Sequence, residues 1–239
     1  MSAGVTEGID FIAASASKIG NVDFENLTFG SVFTDHMLVC DFKNGKWEKP
    51  VIEPYAPFMI DPSAKIFHYG QAIFEGMKAY KTDSDEIWLF RPEENFKRFN
   101  KSAVRLAMPE VPEFVFMEGL KQLIAIEKDW VKKGKGNALY IRPFMIATGS
   151  GVVAAPSQQY RFMIILSPAK SYYSGEVKVI IADHYSRAAN GGIGAAKAAG
   201  NYPAQFYPTK LANDKGFQQI IWTDDATHTK LEEAGTMNV

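Results

Sequence analysis

The residue with the clearest chemical potential in this sequence is a lysine in unusual company. Between Ala188 and Pro208 the chain carries Gly191, Gly192, Gly194 and Gly200, several alanines, and a single charged side chain, Lys197. At the chain's average of 22% charged residues, such a stretch would hold about four or five charges. A lysine among small residues is a candidate for a poorly hydrated amine. Desolvation favours the neutral form of an amine, and a neutral amine is a nucleophile that can condense with a carbonyl. Small flanking residues also let a planar ligand approach the backbone closely. On composition alone, a flexible glycine loop with one solvated lysine is the better account of the stretch. Spacing excludes two other chemistries. The Walker pattern needs glycine directly before the lysine, where Ala196 stands. The dinucleotide pattern starts at Gly192 and Gly194 but meets Lys197 where its third glycine belongs.

Other reactive groups are sparse or ambiguous. Cys40 is the single cysteine, which rules out a disulfide framework or a cysteine zinc site within one chain and suits a small buried hydrophobe near a strand. His36, His68, His184 and His228 are scattered, with none four residues from another, so no metal site is expected. Glu233 neighbours Glu232 and by itself reads as an acidic surface turn. Arg98 lies among Lys97 and Lys101, which suggests a solvated helix face. Tyr202 reads as core. The 26 basic and 27 acidic residues leave a formal net charge of −1, so no global field favours nucleic acid or an anionic membrane. The N-terminal segment lacks a basic region ahead of an apolar run, and the uncharged run between Arg142 and Arg161 holds Gly, Ser, Pro and Gln. Neither a signal peptide nor a bilayer span is expected, and the reading is cytoplasmic.

The elements that must position these groups alternate between strand and helix patterns. Glu86–Phe90 reads as a short strand. Pro92, Glu93 and Glu94 then start a helix, through which Phe96, Phe99, Ala103, Leu106 and Ala107 fall at helical spacing until Pro109 and Pro112. A second helix is expected from about Glu113 to Lys133, with Phe116, Leu120, Leu123, Ile124, Ile126 and Trp130 inward and Gly134 and Gly136 beyond its end. Ala138–Ile146 and Tyr160–Leu166 read as strands joined by a Gly/Ser/Pro loop. Breaks at Ser167-Pro168 and Ser174-Gly175 suggest a domain boundary, followed by strands at Val177–Ala182 and Gln218–Trp222. The expected organisation is residues 1–168 as a first domain, 169–175 as linker, and 176–239 as the start of a second.

The sequence from Gly191 to Tyr202 resembles the lysine motif of class IV pyridoxal-phosphate aminotransferases, most closely the branched-chain amino-acid members. Further segments match in the same order: Phe29-Gly30 with Phe33-Thr34-Asp35-His36-Met37; His68 through Tyr80; Leu89-Phe90-Arg91-Pro92 with Asn95 and Arg98; Tyr140-Ile141-Arg142-Pro143; and Glu233 through Asn238. Each piece is weak alone. Their ordered combination is highly specific and runs from about residue 24 to the last residue.

The resemblance implies an α/β to α+β, two-domain fold of type IV, with a small N-terminal domain and a larger C-terminal cofactor-binding domain that is incomplete here. It implies pyridoxal 5'-phosphate as cofactor and amino transfer between leucine, isoleucine or valine and 2-oxoglutarate. Lys197 would hold the cofactor covalently and shuttle a proton. Tyr202 would bond its phenolate oxygen, Glu233 would face its ring nitrogen, Arg98 would bind its phosphate, and Thr236 would join the cofactor shell. Phe29, Tyr69, Phe74 and Tyr140 would wall the substrate pocket, with Arg142 near the substrate carboxylate. Arg142 precedes Pro143, which biases it toward extended backbone. The family continues past the position of Val239, so the 239-residue chain by itself is expected to bind cofactor weakly and turn over little. A homodimer is implied. Two alternatives stay open: another type IV enzyme, such as a D-amino-acid aminotransferase or an aminodeoxychorismate lyase, and a catalytically weak truncated relative that folds only by covering its sheet edges in a dimer.

Overall fold

The computed structural model describes residues 8–170 and 175–235. The chain divides into two compact units, residues 1–172 and 173–239. Residues 171–174 of the expected linker lie outside the described residues. The first unit holds strands β1 (Asp10–Phe11), β2 (His36–Lys43), β3 (Lys46–Trp47), β4 (Val51–Pro54), β5 (Ala72–Phe74), β6 (Met77–Lys81), β7 (Ile87–Leu89), β8 (Ala138–Ala147) and β9 (Tyr160–Ala169). They form one sheet in the order β1-β4-β2-β9-β8-β6-β7, with β3 paired to β2 and β5 to β8. β1 runs parallel to β4, and the other pairs are antiparallel.

Three helices belong to this unit: α1 (Lys65–Tyr69), α2 (Pro92–Arg105) and α3 (Gly119–Ile126). Pro92 opens α2 and Glu93 and Glu94 fill its first turn, where a fixed φ and negative charge suit the exposed N–H groups. Its apolar stripe packs on the sheet. Phe99, Phe116 and Phe162 form a ring cluster with centroids 5.4–5.6 Å apart, inside a core that also takes Leu38, Ile73, Leu120, Leu123, Leu139 and Ile141. β8 shows the strand period directly. Leu139, Ile141, Met145 and Ala147 are fully buried, while Tyr140 and Arg142 are half-buried on the opposite face. That alternation puts two of the expected substrate residues side by side, away from the core.

The expected long helix from Glu113 to Lys133 is broken. A π-helical turn (Phe114–Glu118) leads into α3, and a 3₁₀ turn (Lys128–Trp130) follows it. Tertiary contacts hold the residues that follow α3. Glu127 is 2% exposed and accepts from the His36 backbone N–H at 2.9 Å, with its Oε1 2.5 Å from His36 Nδ1. Trp130 donates its indole N–H to Asp35 at 3.2 Å. The two side chains are three residues apart and reach the same segment, Asp35–His36, at the start of β2. Burial pushes the Glu127 carboxyl above the usual range.

Two side chains of β2 illustrate what burial does to titration. Burial raises the Cys40 thiol to about 12, so it is inert as a nucleophile near neutrality. Asp41 is also penalised by burial, but the Arg161 guanidinium and the Lys43 ammonium outweigh that and hold its carboxyl below the ordinary range. Arg161 lies directly opposite on β9 and donates from Nε at 2.6 Å and from Nη2 at 2.8 Å. A carboxyl depressed by folding stabilises the protein above its unfolded pKa of about 3.9, and that stability is lost as pH falls through the lower folded value. Asp41→Asn should therefore cost about 2 kcal/mol at pH 7 and flatten the acid limb of the stability curve below about pH 4. Denaturant melts of both proteins from pH 7 to pH 2 check this; parallel curves would contradict it.

The second unit contains β10 (Val179–Ile181), α4 (Phe206–Asp214), β11 (Gln219–Thr223) and β12 (Leu231–Ala234). β11 is central, parallel to β10 and antiparallel to β12. Its core is Ala212, Ile220 and Trp222, with Ile180, Ala182 and Phe217 packed against them. Glu233 thus lies on a strand beside β11, not in a surface turn. Among the described residues, no helix is long and apolar enough to cross a membrane.

Candidate active site

In the second unit Lys197 sits in the irregular turn ahead of a short 3₁₀ helix (Ala199–Asn201), half-buried between the buried residues Ala196 and Ala198. Its Nζ donates to Tyr202 Oη at 3.1 Å. The five-residue spacing works because the 3₁₀ turn folds the chain back between them. Asn201 holds the frame. It is 8% exposed, and its amide donates to Ile193 O at 3.0 Å and to Ala196 O at 2.9 Å. Sequence reading passed over Asn201, and an amide inside a glycine turn is the signal that could have drawn attention to it.

The segment just before that turn, Arg187–Ala195, walls a cavity of about 390 Å³, within the range of small-molecule pockets, roughly 300–1,000 Å³; Lys197 and Tyr202 do not line it. Gly191, Gly192 and Gly194 form one side, and Arg187, Asp225 and Glu233 contribute charge. At two of these glycines a side chain would be crowded. A Cβ on Gly194 would overlap that of Ala188, and one on Gly192 would lie 3.0 Å from Ala189 O. Glu233 Oε1 lies 2.5 Å from Arg187 Nε, and the two side chains are 44% and 16% exposed. The contact is ionic, because the buried Nε–H is not aligned on an acceptor. Arg187 was also missed in the sequence, being separated from its partner by most of the unit. Thr236 lies outside the described residues.

The first unit gathers the other expected residues. Arg142 stacks its guanidinium 4.5 Å from the Phe74 ring centroid and donates from Nη2 to Tyr140 Oη at 2.7 Å. Phe29 meets Tyr140 edge-on at 4.9 Å between centroids. Phe29, Phe74, Tyr140 and Arg142 thus form one aromatic–guanidinium cluster. Tyr69 is engaged elsewhere: its hydroxyl donates to Val152 O in the loop after β8. Arg98, on α2, is paired to the buried Glu75 through Nε at 2.5 Å and Nη2 at 2.7 Å. The expected solvated face is therefore half right, since the Arg98 side chain is 51% exposed while one of its edges is fixed.

The second unit thus holds a lysine amine set against a phenol, and a carboxylate beside a guanidinium at a glycine-walled cavity. Solved structures support the fold. The branched-chain amino acid aminotransferase of Escherichia coli superposes with a TM-score of 0.65 at 23% identity, covering 82% of this chain and 62% of that one. An aminotransferase from Brucella abortus bound to the co-factor PLP gives a TM-score of 0.58 at 20% identity, covering 83% and 66%. The model of the amino-transferase class IV family matches residues 72–239, and the chain belongs to that family. Branched-chain-amino-acid transaminase 1 of Bacillus subtilis (strain 168) is 48% identical over 222 residues, which is 91% of this chain and 62% of that protein. The chain therefore spans less than two thirds of the length of such relatives.

Proposed function

We propose that the protein is a pyridoxal-phosphate-dependent aminotransferase of branched-chain amino acids, exchanging the amino group of leucine, isoleucine or valine with 2-oxoglutarate. The observation that carries this reading is the Lys197–Tyr202 pair, 3.1 Å apart on a glycine turn. The second unit's donors suit the cofactor: an amine for its aldehyde, a phenol beside that amine, and a carboxylate for its ring nitrogen; the family resemblance adds the Arg98 guanidinium for its phosphate. The relatives' names and the 48% identity favour branched-chain substrates.

When bound, pyridoxal phosphate supplies an electron sink for the carbanion formed at the substrate Cα. The chain's own groups do the rest. Lys197 holds the cofactor through its Nζ and carries a proton to and from the substrate Cα. Tyr202, beside that amine at 3.1 Å, would hydrogen-bond the cofactor's phenolate oxygen. Glu233 faces the ring nitrogen and holds its proton, with Arg187 fixing the carboxylate. Arg98 grips the phosphate, where a guanidinium offers paired donors. Phe29, Phe74 and Tyr140 exclude water from an aliphatic side chain, and Arg142 draws the substrate carboxylate. Tyr69 shapes the pocket by anchoring the Val152 loop, and Thr236 belongs to the cofactor shell. The second unit is the cofactor-binding part. We place the protein in the cytoplasm as a homodimer; the exposed apolar residues Phe67, Val152 and Val153 of the first unit support a covered face.

The deciding experiment uses the complete polypeptide with pyridoxal phosphate and 2-oxoglutarate. Leucine should be converted at least about tenfold more efficiently (kcat/KM) than D-alanine, a difference of ~1.4 kcal/mol in transition-state binding. Preference for D-alanine would overturn the substrate assignment, and failure with every amino donor would overturn the enzyme class.

Gly76 offers a sharper test of the pocket. A Cβ at this position would overlap Tyr140 Oη, the atom that accepts from Arg142. Gly76→Ala must therefore displace the phenol and loosen Arg142. Overpacking of this kind costs about 1–3 kcal/mol, so KM for leucine should rise about tenfold or more with cofactor affinity unchanged. An unaltered KM would separate Tyr140 and Arg142 from the substrate.

A further inference from the structure

We propose that Glu75 is a positioning residue for the phosphate of the cofactor: its buried carboxylate fixes the Arg98 guanidinium in the orientation that receives a phosphate monoester. The inference rests on the reading of Arg98 as the phosphate ligand. Glu75 follows β5 in the turn to β6 and is 0% exposed. Its backbone N–H donates to Pro143 O at 2.8 Å, which pins the turn to β8. The carboxylate accepts four bonds. Gly76 N–H reaches Oε2 at 3.2 Å and Asn95 Nδ2 reaches Oε2 at 2.8 Å. Arg98 Nε reaches Oε1 at 2.5 Å and Arg98 Nη2 reaches Oε2 at 2.7 Å. Asn95 and Arg98 are three residues apart on α2 and so share a face of that helix.

The asymmetry of the pair points beyond stability. The carboxylate is wholly buried, yet the Arg98 side chain remains 51% exposed. A buried carboxylate is costly to desolvate, which makes such pairs poor devices for stability alone. Glu75 occupies one edge of the guanidinium, and a phosphate taken in bidentate fashion would use another edge. Fixing a long, rotamer-rich side chain before the ligand arrives removes an ordering cost from binding. A competing effect has the opposite sign: Glu75 offsets part of the charge that attracts the phosphate. For a half-exposed guanidinium that charge term is screened by solvent, so orientation should dominate.

The test compares pyridoxal 5'-phosphate with pyridoxal, which lacks the phosphate, by absorbance or fluorescence titration of the complete polypeptide. Wild type, Glu75→Gln, Glu75→Asp and Arg98→Gln are measured at one pH. Glu75→Gln should weaken pyridoxal 5'-phosphate by about 10- to 100-fold, the size seen when a partner orienting a ligand-binding group is lost. Pyridoxal affinity should stay within about twofold, because no contact to a phosphate is at stake. Glu75→Asp, which keeps the charge but withdraws it, should fall between, and it carries the test if Glu75→Gln does not fold. A parallel loss for both ligands would mean a structural role only, and tighter phosphate binding would mean that Glu75 acts as a charge damper; either overturns the proposal. If Arg98→Gln leaves the ratio of the two affinities unchanged, the phosphate assignment of Arg98 falls, and the role of Glu75 with it. If Arg98→Gln collapses the ratio and neither Glu75 variant does, Glu75 alone is misassigned.

Discussion

Alanine at position 197 should abolish covalent attachment of pyridoxal phosphate and lower the transamination rate by about 10⁴-fold or more, with little change in folding. The size follows from two roles lost together. A covalent nucleophile disappears, and so does the general acid–base group, itself worth about 10²–10⁴-fold. Folding should survive because the turn does not depend on the amine. Its frame is the Asn201 amide bonded to Ile193 O and Ala196 O, and the Lys197 side chain is half-buried, bonded to Tyr202. A stability change within about 1 kcal/mol is expected. Borohydride reduction of the loaded complete polypeptide, followed by peptide mass analysis, should find the cofactor on Lys197 in the wild type and on no lysine in Lys197→Ala. Reduction at another lysine in the wild type would move the catalytic centre elsewhere and remove the basis for every role assigned around it.

Legibility of the sequence varied with how local each feature is. Helix α2 could be read because its signals are neighbours: Pro92 and the two glutamates at its start, then Phe96, Phe99 and Ala103 on one stripe. Lys197 stood out from composition and from a twelve-residue segment, Gly191–Tyr202, that resembles the family motif. Strand β2 was not assigned from pattern, since His36 through Leu38 and Cys40 are all buried and give no clean alternation. A strand covered on both faces loses the period-2 signal. The break after α3 was illegible for a different reason. Glu127 and Trp130 leave the helix to meet His36 and Asp35, more than ninety residues earlier. The same holds for Arg187 with Glu233 and for Glu75 with Arg98. A charged residue in a sequence announces its type, but its partner is chosen by the fold, and both ion pairs join separate elements of one unit.

The partnership of Arg187 and Glu233 leads to the second large effect. A carboxylate facing the ring nitrogen stabilises the proton there as electron density arrives, so its contribution grows toward the transition state. Glu233→Gln keeps the shape and removes the charge. It should lower kcat by about 10²–10³-fold while changing KM for leucine little, the signature of an interaction made mainly in the transition state. Arg187 lies 2.5 Å from Oε1 and also donates from Nη2 to Gly194 O at 3.4 Å, so Arg187→Met should act largely through Glu233 and cost less, about tenfold. Its effect should nearly vanish when Glu233 is already glutamine. A double-mutant cycle measures that dependence, and residues acting as a unit give strongly non-additive losses. Additive losses would show that Arg187 works independently of the carboxylate. A Glu233→Gln enzyme with normal kcat would show that the acidic side chain on β12 does not face the ring, leaving the cavity beside the glycine turn without its proposed occupant.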